Sequence, residues 1–197
     1  SWAQAWVGGA GSAFGSDRSY GVMGARVVPR IGAGPGRYLF GSFGFSGRVS
    51  GGTLWERRAS ANMTGHWKIR ETHAFAARVR WDAVSRTEDR TQLLLGPEQG
   101  LRGYVLRRFE GTQRYVINVE GRATLVRRPT FTAAAVGFVD GGRAWSPGAA
   151  KRPVWSAGLG GRLGFSRVYG APVMCADLGY GFEDQAWVLF VGLGQYF

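Results

Sequence analysis

Ten stretches of this chain alternate apolar and polar residues one for one, and that period of two limits the fold more than any other feature. Successive side chains of a strand point to opposite faces, whereas a helix would repeat its apolar residues every third or fourth position. Residues 37–49 set Leu39, Phe43, Phe45 and Val49 against Ser42, Ser46 and Arg48. Residues 55–70 set Ala59, Ala61, Met63, Trp67 and Ile69 against Arg58, Ser60, Asn62, Thr64, His66, Lys68 and Arg70. Residues 73–85 set Phe75, Ala77, Val79 and Trp81 against Arg78, Arg80 and Asp82. The same reading predicts strands near residues 3–12, 20–31, 111–126, 130–145, 154–166, 173–182 and 186–197. Turn residues such as Gly34-Pro35-Gly36, Gly51-Gly52 and Ser146-Pro147-Gly148 punctuate the series. No linker interrupts it, so residues 1–197 are expected to form a single domain.

The apolar face decides what surrounds these strands. It carries no charge over most of the series, while the polar face holds charges of both signs at mid-strand. Several stretches reach ten residues or more, beyond the roughly five or six typical of soluble strands and enough to cross a bilayer core when tilted. Trp and Tyr recur near the ends of the stretches, as in an interfacial girdle. A soluble sandwich would give similar alternation. The charge-free face favours an all-β, transmembrane, antiparallel up-and-down β-barrel of about ten strands (8–12), since closure satisfies every backbone group in lipid. No run of about 18 apolar residues proposes a membrane helix. An even strand count places both termini on the periplasmic side of a bacterial outer membrane.

A formal charge of +12, carried almost wholly by arginine, raises a nucleic-acid partner. No binding motif accompanies it, so none is expected. The parity of the strands instead puts Arg58, Arg78, Arg80, Arg114, Arg122 and Arg162 on one enclosed wall, where they need carboxylates, water or anions. Arg86, Arg90, Arg107 and Arg108 fall in loops and suit the phosphates of lipopolysaccharide. Enzyme chemistry finds little support: His66 and His73 are the only histidines, Cys175 the only cysteine, and no Gly-x-Ser-x-Gly elbow occurs. The expectation is a protein without catalytic residue, metal site or cofactor.

The longest connection holds residues 94–104, LLGPEQGLRGY, at the middle of the chain. Its Leu101-Arg102-Gly103-Tyr104 resembles the (V/L)RG(F/Y) motif of the BamA/TamA-like outer-membrane assembly and translocation barrels, the superfamily that includes the bacterial surface antigens. Phe138-Val139-Asp140-Gly141-Gly142 resembles the F-x-D-x-G motif of that superfamily, and Asn118-Val119-Glu120-Gly121-Arg122 its acidic strand motif. The ending FVGLGQYF resembles a C-terminal β-signal closing on aromatic Phe197, which would be read by assembly machinery. The resemblance spans about residues 92–197 and is only pattern-deep before that. It implies that the loop folds back into the barrel and that Arg102 meets Glu120 and Asp140. Parity independently puts both acids on the polar face. Gly103 would let the backbone turn, and Tyr104 would pack against the wall. Glu120 pairing only with Arg122 or Arg114 is the competing arrangement.

Barrels of this superfamily usually have sixteen strands and periplasmic POTRA domains. Ten strands and no POTRA domain are read here. The expected function is that of an outer-membrane barrel related to protein insertion or translocation machinery, with a seam between first and last strands weakened by Gly8, Gly9, Gly11, Gly192 and Gly194. Expected partners are outer-membrane lipid and lipopolysaccharide. A membrane anchor or subunit of a larger envelope complex with other protein chains is the alternative, and a small anion pore is another.

Overall fold

The computed structural model describes residues 1–85, 91–149, 152–165 and 173–194. Ten long strands follow the chain: β1 (Trp2–Ala10), β2 (Tyr20–Val28), β3 (Arg37–Ser50), β4 (Thr53–Lys68), β5 (His73–Ser85), β6 (Gln113–Arg127), β7 (Phe131–Trp145), β8 (Val154–Phe165), β9 (Met174–Gly181) and β10 (Ala186–Leu193). Each pairs antiparallel with the next in sequence, so the sheet is a pure up-and-down meander. An eleventh, short strand, Arg30–Gly32, also pairs with β3. The alternation of residues 20–31 predicted one continuous strand here. It breaks at Pro29, which has no N–H for the ladder, while its carbonyl still accepts from the Gly41 amide at 2.9 Å. Among the described residues the helical elements are two short 3₁₀ turns, Ser12–Phe14 and Pro97–Gln99, and no helix is long and apolar enough to cross a membrane.

The burial of the two faces is inverted relative to a soluble sheet. Val79, Leu159, Leu178 and Leu189 lie on the apolar face and stay exposed, Leu159 to 72%. Thr64, Asp82, Asn118, Glu120, Asp140, Ser156 and Asp177 are buried on the other face, alongside apolar residues such as Ala76, Val116, Val136 and Phe138. Nothing among the described residues covers the apolar face. Its large rings lie over glycines, where a Cβ would collide: Trp155 over Gly141 on the neighbouring strand, and Trp67 over Gly65. Such aromatic-over-glycine pairs recover contact area that the missing side chain forfeits.

Two bulges reset the alternation. Ser46 faces Arg58 but Arg48 already faces Trp55, and the extra residue is absorbed around Glu56, whose φ is 41°. In β6, Thr124 faces Ala134 and Val126 faces Ala133, so Leu125 is the extra residue. Beyond it the faces exchange, and Arg127 lies opposite Thr132 on the polar side. Strict alternation would have put Arg127 on the apolar face.

The sheet path ends at β1 and β10, and no ladder joins those two strands among the described residues. Nearly all of β1 is exposed. The strand predicted over residues 186–197 is described as Ala186–Leu193. Phe197, expected to end the C-terminal signal, lies outside the described residues, as do Arg86 and Arg90.

The connection from β5 to β6 turns back onto the polar face. Within it Leu93–Leu95 and Phe109–Gly111 form a small antiparallel pair, and Thr112 ties the pair to the wall through Val84 N–H and Trp145 C=O, at 2.8 and 3.0 Å. A buried apolar cluster sits where this connection meets the sheet: Leu95, Leu101, Tyr104 and Phe109 against Val116, Ala144 and Val154.

Candidate functional site: the Arg102 loop

Local backbone chemistry shapes the loop before any charge is considered. Pro97 opens the 3₁₀ turn, and Gly100 closes it with φ 108°. A side chain at Gly100 would run into the Arg78 guanidinium. Gly103 has φ 83°, and a Cβ there would come within 3.0 Å of both Ser156 Cβ and the Tyr180 carbonyl carbon. Across the contact, a Cβ on Gly179 would lie 2.7 Å from Gly103 N. Loop and wall therefore meet backbone to backbone, and two glycines permit it.

That approach delivers Arg102 to the polar face with its side chain fully buried. Its Nε and Nη2 donate to Asp140 Oδ2 and Oδ1 at 2.7 and 2.9 Å, a two-pronged pair. Nη1 donates to Glu120 Oε2 at 2.8 Å and reaches Asp177 Oδ2 at 3.4 Å. The Arg102 backbone N–H adds a bond to Asp140 Oδ2 at 3.2 Å. The face of Phe138 lies 3.6 Å from the guanidinium carbon. Burial alone would depress the Arg102 pKa, but hydrogen bonds and charge from Asp140, with Glu120, outweigh it and hold the group above its ordinary value.

One arginine cannot balance three carboxylates in a dry site. Arg162 supplies a second cation, donating to Asp177 at 2.6 and 3.1 Å and to Glu120 at 3.3 Å. Arg122 supplies the third, donating to Glu120 Oε1 at 2.5 Å. Three arginines thus face Glu120, Asp140 and Asp177, and the cluster is formally neutral. Asn118 links it to the loop backbone, donating to Asp140 Oδ1 at 2.7 Å and to Gly100 C=O at 2.5 Å. Arg78 closes the far side through Asn118 Oδ1 at 2.7 Å and Gln99 C=O at 3.1 Å.

Tyr104 is buried and donates to Trp155 C=O at 2.7 Å, with its ring edge-on to Phe109. Toward the outside, Arg108 makes a two-pronged pair with Asp184 of the β9–β10 turn at 2.8 Å on both prongs. The Arg108 hydrogen bond holds the Asp184 carboxyl below its ordinary pKa.

The residues singled out in the sequence fall into two groups. Arg102, Gly103, Tyr104, Glu120 and Asp140 converge, joined by Arg78, Arg122 and Arg162. Arg114 holds the loop's other end, donating to Asp82 at 2.7 Å and to Leu94 C=O at 2.5 Å. Arg80 also bonds Asp82, at 2.8 Å. Arg58 stands apart from the loop, lining a cavity of about 420 Å³ with Arg26, Arg80 and Asp82. Glu120 does pair with Arg122, but alongside Arg102 rather than instead of it, and Arg114 goes to Asp82. The sequence reading left out Asp177 and Asn118 as partners of the loop. Alternation had put Asp177 on the correct face, but not within reach of a residue 75 positions away.

Among the described residues no three His, Cys, Asp or Glu side chains are placed to hold a metal ion. What the arrangement can do is hold a loop against the polar face of a sheet. No family model and no curated protein matches the chain.

Proposed function

We propose that this chain forms a β-barrel wall in a bacterial outer membrane, related to the BamA/TamA-like protein-insertion and translocation barrels, with Arg102 locking the central loop inside. The observation that carries the membrane reading is the inverted burial: exposed Leu159, Val79 and Leu189 on one face, buried Asp140, Glu120 and Asp177 on the other. In water such a face would be a large unpaired apolar patch, whereas in lipid it is at home. The Arg102 network supports the relationship, because the residues carrying the resemblance are the ones that meet. Both termini would be periplasmic, the apolar face would meet lipid, and exposed loop arginines such as Arg107 would meet lipopolysaccharide. The test of activity uses vesicles containing the refolded chain and measures how fast a second, unfolded barrel protein inserts. Faster insertion than into empty vesicles, lost when a disulfide joins β1 to β10, is the expected result. Equal rates with and without the chain would count against an insertion role.

A second reading rests on the two sheet edges. Among the described residues no ladder joins β1 to β10, and in lipid the backbone groups at those edges must be satisfied. A subunit that completes its wall with other strands, as a membrane anchor or part of a larger envelope complex, satisfies them. The mass of the detergent-extracted native assembly separates the two: a species of one 21.4 kDa chain favours self-closure, and co-purifying chains favour the subunit.

A further inference from the structure

A cavity of about 300 Å³ lies on the polar face at the short-turn end of β4 to β8, away from the Arg102 loop, and it is built from cations and small residues. Lys68 and Arg70 come from the end of β4 and the turn after it, Arg122 and Arg127 from β6, and Arg162 from β8. Ala74, Ala134 and Gly164 leave the space between them open. Thr72, Thr124 and Thr132 add hydroxyls, and His66 and His73 complete the rim.

The charges here do not cancel. Lys68 is paired with Glu71 at 2.8 Å. Arg122 and Arg162 are held by Glu120 and Asp177 in the neutral cluster with Arg102 and Asp140. Among the described residues, the five cations that line the cavity (Lys68, Arg70, Arg122, Arg127, Arg162) meet three carboxylates (Glu71, Glu120, Asp177), leaving two positive charges. They belong to Arg70 and Arg127, whose side chains make no salt bridge or hydrogen bond among the described residues, although Arg127 lies near enough to Glu71 to help Lys68 hold that carboxyl below its ordinary pKa. Arg127 is present only because the bulge at Leu125 turns it onto this face.

We propose that this cavity is a binding site for a phosphate-type oxyanion of charge about −2, a diphosphate or phosphate-monoester group held by Arg70 and Arg127. Arginine forks match phosphate oxygens two at a time, and a dianion would cancel the excess. The site depends on the charges alone and does not require the insertion reading. Its opening on the polar face favours a soluble ligand, and a lipid headgroup offers the same chemistry from another source.

The experiment is titration calorimetry of the full chain, refolded in a non-ionic detergent at low salt, with inorganic pyrophosphate as probe. One saturable site per chain is expected, with affinity falling roughly tenfold or more in the Arg70→Gln/Arg127→Gln double variant, as the loss of charge-assisted bonds implies. Both side chains are exposed, so the variant keeps its fold, which circular dichroism checks. Arg58→Gln, in the separate cavity, should bind as the parent does. Absence of saturable binding overturns the proposal. So does an unchanged affinity in the double variant, or an equal fall in Arg58→Gln, which would reduce the effect to general attraction. Competition by mixed micelles of phosphatidic acid would assign the same site to a lipid headgroup, and failure to compete would assign it to a free oxyanion.

Discussion

Removing the Arg102 side chain would leave Asp140 and Glu120 buried with one cation fewer than the cluster needs. Arg102→Ala should therefore cost on the order of 3–5 kcal/mol, read from urea unfolding of the chain in detergent. Arg102→Lys keeps the charge but loses the fork, so an intermediate loss is expected. Equal stability of the alanine variant and the parent would mean that the network holds nothing. The Arg108–Asp184 pair gives a pH dependence of known sign. Because the folded carboxyl titrates below its ordinary range, the pair's contribution is present above that range and fades as pH falls through the lowered value. Both groups are partly in water, so its size is about 0.2–1 kcal/mol. Limited proteolysis of the loop should rise on acidification in the parent, and the Asp184→Asn variant should lack that increment.

Arg102, Glu120 and Asp140 were legible at the residue scale because short motifs mark them and parity gives their face. Asp177 and Arg162 were legible as to face but not as to contact. Contact across β6 to β9 depends on how the sheet and loop bring distant positions together, and a one-dimensional pattern carries no such information. The face of Arg127 was not legible for a different reason, since a bulge has no signature in the Leu125 side chain itself.

Among the elements, the loop and β9 are coupled through backbone contact rather than side-chain packing. Gly103→Ala combines a left-handed φ with a Cβ 3.0 Å from its neighbours, and should cost about 1–3 kcal/mol. The same unfolding curves check it, and a neutral result would mean that the loop can back away from β9 without loss. The strands themselves were read from sequence with their ends mostly within two residues, because each is long and its period is clean. The exceptions have physical causes: Pro29 splits the second stretch, and the first stretch gives way to a turn before Ser12. The Pro97–Gln99 turn carries no periodicity, and only its proline and flanking glycines hint at it.

At the scale of the whole molecule, the two faces of the sheet are the main evidence for where it resides. A charge on the apolar face distinguishes the environments. Leu159→Arg in a membrane-embedded sheet should cost about 2–4 kcal/mol near the bilayer midplane, whereas on a surface already in water it would fall within about 0.5 kcal/mol of zero. The alternation announced two faces but not which was buried, since a sandwich core and a lipid-facing wall share one pattern. The structure answers it only as burial: the polar face is covered where the central loop lies on it, Gln4, Arg26, Arg58 and Ser60 on the N-terminal strands stay exposed, and the apolar face is open. The glycines of the first and last strands marked a weak seam there, but whether β1 and β10 pair with each other or with another chain is not written in an alternation pattern, because pairing partners are a property of the assembly.

The most direct measurement is electron paramagnetic resonance of spin labels at Val79, Leu159 and Leu189, with Cys175 replaced by serine and the chain reconstituted in vesicles. Collision with oxygen, which concentrates in lipid, is compared with collision with a water-soluble nickel chelate. A lipid-facing wall predicts strong oxygen and weak nickel access at all three positions. Strong nickel access at all three would place the apolar face in water and contradict the membrane barrel.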